Sequence, residues 1–204
     1  MLTLVVLISG RGSNLQAIMD AIGRGDLCAR IAAVISNRAD APGLDRARRG
    51  GIPTCVIPHG DFPDRDGFDH ALAESIQGYD PDLIILAGFM RILGAGFVRR
   101  FDGRILNIHP ALLPKFRGTD THRRALEAGE TEHGATVHVV TEALDDGPIV
   151  MQARVPVLRE DDVESLASRV LSVEHGLYPA AIGKYGAELS TPETAPATGG
   201  AGSR

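Results

Sequence analysis

The 204-residue chain has no tryptophan, and only 4% of its residues are aromatic. A surface that stacks nucleobases needs such rings, so their scarcity argues against a nucleic-acid binder. An excess of positive charge is missing too. Against 26 Asp and Glu stand 21 Lys and Arg, a net charge of −5, whereas a phosphate backbone needs a basic footprint. The short clusters Arg46/Arg48/Arg49, Arg99/Arg100 and Arg123/Arg124 read as solvated helix faces. Cysteine is limited to Cys28 and Cys55, far apart and in no metal-ligand spacing. A reduced, cytoplasmic compartment fits, and no metal is expected. No hydrophobic run is long enough to cross a bilayer: the longest, residues 2–8 and 83–90, are strand-sized. The first residues lack the basic segment of a signal peptide. The expectation is a cytoplasmic protein with neither nucleic acid nor membrane as partner.

What is present is a globular composition, 44% hydrophobic and 23% charged, in a length that suits one domain with a substantial core. Residues 2–8 form a continuous apolar run, as in a strand buried on both faces. A glycine-rich turn follows at residues 9–13. Residues 14–22 then carry Leu15, Ile18, Met19 and Ile22 at helical spacing. The same alternation continues. Strands are expected at residues 31–35, 53–57, 83–87 and 103–109, and helices at 42–49, 65–76, before Arg100 and at 122–128. Two strands, near residues 134–140 and 149–157, come without a helix between them and are expected to be antiparallel. Asp161 and Asp162 can cap a long final helix. The predicted fold is α/β: one doubly wound domain, residues 1–189, around a mostly parallel, mixed sheet of about seven strands with helices on both faces. Residues 190–204 are almost all Ser, Thr, Pro, Gly and Ala and are expected to be a disordered tail.

Three stretches carry chemistry. In the first, Gly10-Arg11-Gly12-Ser13-Asn14 joins a strand to a helix N-terminus, where glycines admit a ligand and the helix dipole favours an anion. It is a poor dinucleotide fingerprint, because Leu15 stands at the third glycine position and Ser36-Asn37 where an acidic ribose ligand belongs. No Gly-Lys-Ser/Thr follows it, as a Walker loop requires. A single mononucleotide-like phosphate suits it better, and a tight turn without ligand is the plain alternative. In the second, Asn107 and His109 lie two residues apart in an apolar strand, so both point to one face where Pro110 ends the pairing. A protonated imidazole and an amide side by side can stabilise an oxyanion. The third, Leu144-Asp145-Asp146-Gly147-Pro148, offers carboxylates that could orient and charge His109. No serine or cysteine stands out as a nucleophile, so the attacking group would come from the substrate. The remaining histidines, among them His122, His133, His138 and His175, show no ligand spacing and read as surface or structural residues. Glu174 interrupts an apolar helix face, as plain surface or as a polar contact reaching the site.

The Asn107-Ile108-His109-Pro110 stretch and the Asp145-x-Gly147 turn together resemble the folate-dependent formyltransferases. The Gly12-Ser13-Asn14 loop, Ala87-Gly88-Phe89-Met90-Arg91, Glu174-His175 and the short length narrow the resemblance to the branch acting on 5-phosphoribosylglycinamide in purine synthesis. It covers residues 1–185. It implies a formyl group passing from 10-formyltetrahydrofolate, as co-substrate, to the substrate amine. Asn107, His109 and Asp145 would be the catalytic trio. Gly12, Ser13 and Asn14 would take the phosphate and Glu174 the ribose. The folate would meet Arg65, Met90, Arg91, Ile92, Leu93 and Asn107, and the 141–145 loop of Thr141, Glu142, Ala143, Leu144 and Asp145. The 110–121 loop would be mobile and close over the substrate. Asp120 departs from the family pattern and is assigned no role, and Asp145 is preferred to Asp146 by its motif position. A tRNA-directed formyltransferase would be expected to carry a further C-terminal domain and a basic face, and a formyltetrahydrofolate hydrolase an N-terminal regulatory domain. A non-catalytic nucleotide-binding module would not be expected to keep the trio intact. A monomer or a weak homodimer is expected.

Overall fold

The computed structural model describes residues 1–190, and the expected tail beyond lies outside the described residues. In chain order the elements are β1 (Leu2–Ile8), α1 (Ser13–Arg24), β2 (Ala29–Ser36), α2 (Gly43–Arg49), β3 (Thr54–Val56), α3 (Arg65–Gln77), β4 (Leu83–Leu86), α4 (Ala95–Arg100), β5 (Ile105–His109), α5 (Thr121–Glu127), β6 (Glu132–Val139), β7 (Ile149–Pro156) and α6 (Val163–Ser190). The strands form one 7-stranded sheet in the order β3-β2-β1-β4-β5-β6-β7. β1 to β5 run parallel, and β6 and β7 are antiparallel to their neighbours, so the sheet is mixed as expected.

The long apolar run of β1 is explained by its two faces. Leu4, Val6 and Ile8 point toward α1, α2 and α6, while Val5 and Leu7 point toward α3 and α4. All five are fully buried, and removal from water contributes roughly 1.5–3 kcal/mol for each of the larger side chains. α6 is tied down by Tyr178, whose hydroxyl lies 3.0 Å from the carbonyls of Leu86 and of Leu106, at the heart of β4 and β5. Helix starts follow their sequence signals. Asp64 Oδ1 accepts the Gly67 N–H at 2.8 Å before α3, and Asp162 Oδ1 accepts the Ser165 N–H at 2.8 Å before α6.

The connections run outward from β1 to β2 and β3, then cross to β4 and β5 on the other side. The strand order therefore reverses between β1 and β4, and loops leaving the carboxyl ends of these two strands diverge there. Crevices at such switch points are where doubly wound folds bind ligands.

Candidate functional site

β1 delivers the glycine loop to this crevice. Gly12 caps α1 with φ +70°, and a Cβ there would stand 2.7 Å from the Gly43 Cα at the start of α2. Only glycine fits both the left-handed backbone and that approach. The Gly43 N–H donates to the Gly10 carbonyl at 3.0 Å, and Arg46 Nε donates to the Arg11 carbonyl at 2.9 Å, so α2 braces the loop from outside. Arg46 thus does more than decorate a solvated helix face. Ser13, Arg46 and His175 line a groove that runs along α1 from Ser13 to Arg24. Asn14 turns inward instead: its Nδ2 donates to Glu174 Oε2 at 2.7 Å. Glu174 is 6% exposed, and burial pushes its carboxyl above the ordinary range against the pull of Asn14. Of the two readings open to Glu174, the structure takes the inward one.

β5 delivers Asn107 and His109 to one face, and β6 brings a third group that sequence reading assigned to surface or structure. Asn107 is in register with His138. His138 and His133 are buried, so of the surface and structural readings of these rings the structural one applies. β6 has two unlike faces: Ala135, Val137 and Val139 join the core beneath α6, and Thr136 and His138 face the other way, with Asn107 and His109. Asn107 Nδ2 lies 3.1 Å from His138 Nε2, whose Nδ1 is 3.0 Å from the Val139 carbonyl.

The Asp145 turn closes the cluster. A Cβ on Gly147 would fall 1.7 Å from the Val139 carbonyl oxygen, so only glycine lets this turn fold back on β6. That fold-back sets Asp145 Oδ2 3.4 Å from His109 Nδ1 and Asp145 Oδ1 3.6 Å from His138 Nε2. His138 Nε2 can accept from the Asn107 amide only without a proton, and can donate to Asp145 only with one. The two contacts therefore belong to different protonation states of the ring. Asp146 points elsewhere, into an ion pair with Arg117.

The 110–121 loop lies directly on these groups. The Phe116 carbonyl sits 2.9 Å from His109 Nε2, and the Gly118 N–H donates to Asp145 Oδ2 at 2.9 Å. Arg124 holds the loop from α5, donating to the carbonyls of Arg117 at 2.6 Å and Thr119 at 3.2 Å. This docking decides the electrostatics. His109 is 5% exposed, and burial lowers its pKa more than the Phe116 carbonyl and Asp145 raise it. The expectation that Asp145 raises the His109 pKa holds for the sign of its pull but not for the net direction with the loop in place. Burial also pushes the Asp145 carboxyl up, yet the His138 ring, the Gly118 N–H and the charge on either imidazole outweigh it, and the net shift is downward.

The expected folate residues fall on two loops. Met90 is 74% exposed and Ile92 61% exposed between β4 and α4, and Leu144 is 54% exposed beyond β6. Leu93 packs partly against the core below, and Arg91 is exposed. Arg65 is exposed at the start of α3. Thr141 is half-buried, with its hydroxyl 3.3 Å from the Ala143 carbonyl, and Ala143 itself is exposed. Glu142 is engaged at 2.9 Å by Arg99, which ties the 141–145 loop to α4. Among the described residues, no group of three or more His, Cys, Asp or Glu could hold a metal ion, and no helix is long and apolar enough to cross a membrane.

Two features of the crevice escaped sequence reading: His138, and the pair Ser9–Asn37. Asn37 stands where a dinucleotide-binding fold places its acidic ribose ligand, and here it is consumed internally. Ser9 Oγ donates to Asn37 Oδ1 at 2.6 Å, and Asn37 Nδ2 lies 3.2 Å from His59 Nδ1.

Comparison with known proteins identifies the family. The formyl transferase family model matches residues 2–182. The phosphoribosylglycinamide formyltransferase of Escherichia coli K12 is 50% identical over 181 residues, covering 89% of this chain and 85% of that protein. Among solved structures, the phosphoribosylglycinamide formyltransferase of Coxiella burnetii superposes with a TM-score of 0.87 at 55% identity, covering 92% of this chain and 88% of the other. The glycinamide ribonucleotide transformylase 1 of Symbiobacterium toebii superposes with a TM-score of 0.90 at 49% identity, covering 92% and 89%. The chain belongs to the formyl transferase family and is an enzyme of one-carbon group transfer.

Proposed function

We propose that this enzyme moves the formyl group of 10-formyltetrahydrofolate onto the amine of 5-phosphoribosylglycinamide, a step of purine synthesis leading to IMP. The observation that carries the reading is the convergence of Asn107, His109, His138 and Asp145 at the carboxyl end of β5, in a fold whose β1 leads into a glycine loop at a helix N-terminus. None of the four is a hydroxyl or a thiol, so the nucleophile belongs to the substrate.

The acceptor amine attacks the formyl carbon, a C–N bond forms and the carbonyl oxygen becomes an oxyanion. The Asn107 amide and the His109 imidazolium donate to that oxygen. Asp145 beside the ring raises its proton affinity and opposes the lowering that burial causes. The proton lost by the amine reaches N10 of the folate, with Asp145 holding the relaying water, and the C–N10 bond breaks to release tetrahydrofolate. The Phe116 carbonyl occupies His109 Nε2 in the docked loop, so movement of residues 110–121 frees that atom for the formyl oxygen.

Gly12, Ser13 and Asn14 take the ribonucleotide phosphate and Glu174 the ribose hydroxyls. The folate lies against Arg65, Met90, Arg91, Ile92, Leu93 and Asn107 and the 141–145 loop, where the exposed apolar groups await a ring system. Residues 1–189 are the formyltransferase domain of a cytoplasmic monomer or weak homodimer whose ligands are small molecules, with no metal. The test follows tetrahydrofolate release with glycinamide ribonucleotide, with tRNA or with water as acceptor. Release only with the ribonucleotide is expected, and equal release with water or tRNA refutes the reading.

A further inference from the structure

The loop from Met90 to Gly94 has no regular structure and carries the exposed Met90 and Ile92. Its two ends are tied to side chains outside it. At the start, the Met90 N–H donates to Ser9 Oγ at 2.7 Å, and the same hydroxyl donates to Asn37 Oδ1 at 2.6 Å. At the end, the Gly94 N–H donates to Asp69 Oδ2 at 2.7 Å. Ser9 and Asp69 are both buried. Asp69 lies on α3, one turn beyond Arg65, and its Oδ1 is buried with no hydrogen-bond partner. Burial pushes its carboxyl up, with Arg65 and Arg91 pulling the other way. A buried carboxylate with one oxygen unsatisfied is costly to the fold. Here it fixes one backbone amide of a loop that carries no structure of its own.

We propose that Ser9 and Asp69 are positioning residues that pin the two ends of the 90–94 loop and so set the affinity for the formyl donor without touching it. The inference rests on the reading that the folate lies on this loop.

Three variants and two measurements test it: steady-state kinetics with each substrate varied, and hydrogen exchange of the 90–94 amides. Asp69→Ala removes the acceptor and leaves the Gly94 N–H unpaired. It should speed exchange across the loop and raise the KM for the formyl donor about 5- to 50-fold, with the ribonucleotide KM and kcat within about twofold. Ser9→Ala should act in the same direction, about 3- to 10-fold, because a neutral hydroxyl is the weaker acceptor. Asp69→Asn keeps a carbonyl oxygen in place and should recover most of the loss, which a general loss of folding would not do. Unchanged exchange in both Ala variants, or equal rises in both KM values, overturns the proposal. Ile92→Asp separates the two readings: an unchanged donor KM in this variant removes the folate from the loop, and the inference falls with it. A raised donor KM in Ile92→Asp, with none in Asp69→Ala and Ser9→Ala, overturns the anchoring alone.

Discussion

Replacing Asp145 by Asn changes charge with little change in shape. The amide can keep an oxygen for the Gly118 N–H, now 2.9 Å from Oδ2, but no longer presents a negative charge 3.4 Å from His109 Nδ1. An opposite charge at this range typically supports an imidazolium by about 1–3 pKa units. His109 already lies below its ordinary value because burial dominates. Without Asp145 nothing but the Phe116 carbonyl opposes that burial, and the pKa falls further. Each unit lost leaves about tenfold less imidazolium at a pH above the pKa. The rate at about pH 7.5 should therefore drop on the order of 10- to 1,000-fold, mainly in kcat, since the oxyanion exists only in the transition state. The pH profile carries the sharper signature. Activity that needs a protonated His109 falls as pH rises through its pKa, so the descending limb should begin about 1–3 pH units lower in the variant. The acidic limb, set by protonation of the acceptor amine, should not move. Tetrahydrofolate release measured across the pH range, with both substrates saturating, reads both effects. A variant that keeps more than about a third of the wild-type kcat, or whose descending limb stays in place, refutes the role given to Asp145.

Ser13→Asp sets a fixed negative charge at the start of α1, where the phosphate is assigned, and should raise the ribonucleotide KM by at least about tenfold while sparing the donor KM; an unchanged ribonucleotide KM removes the phosphate from this loop. Glu174→Gln retains the contact to Asn14 but weakens acceptance of ribose hydroxyls, and a ribonucleotide KM raised about 10-fold is expected from the loss of charge-assisted hydrogen bonds. Equilibrium dialysis of the ribonucleotide alone checks this, and unaltered binding rejects it. Acid stability should follow His133, whose pKa burial lowers from 6.5 to about 4. Between those values the unfolded chain holds the proton and the folded one does not. The stabilisation is thus complete above about pH 6.5 and is lost as pH falls toward 4, by at most about 3 kcal/mol. Urea midpoints at the two ends of that window should converge in His133→Gln; a wild-type protein equally stable at both ends contradicts the assignment.

The sheet was legible because its signals are local. A strand buried on both faces must be apolar throughout, and helices with one buried face must show a 3.6-residue stripe. Asn107 and His109 stood out because polar groups inside such a strand need a reason. Gly12 and Gly147 stood out by position, and both turn out to sit where a backbone leaves no room for a Cβ. The signal for His138 was also present: it alternates with Val137 and Val139, and so had to face away from the α6 side. What the sequence could not supply was the register. Asn107 and His138, thirty-one positions apart, are opposite each other only because β6 returns along β5 after the loop, helix and turn of residues 110–131. Asp69 was hidden for a different reason. It neighbours Phe68 and precedes Leu72 on α3, but a charged residue beside an apolar stripe reads as the edge of a solvated face. Its burial depends on the 90–94 loop, whose path no periodicity encodes.

Several polar groups of the site lie where chain segments distant in sequence meet, beyond the carboxyl ends of β1, β4 and β5. There the parallel strands stop, their last backbone groups lose sheet partners, and side chains must take over. Ser9 meets the Met90 amide, Asp69 the Gly94 amide and Asp145 the Gly118 amide. Each of these three amides belongs to a loop assigned to a substrate or to the lid, and each is held by a side chain from elsewhere in the chain. A fold that satisfies orphaned backbone at this edge thereby fixes the loops that face the ligands. Loss of one such side chain should therefore show first in the affinity or rate tied to its own loop, and only afterwards in the melting of the sheet, whose two apolar cores none of the three enters.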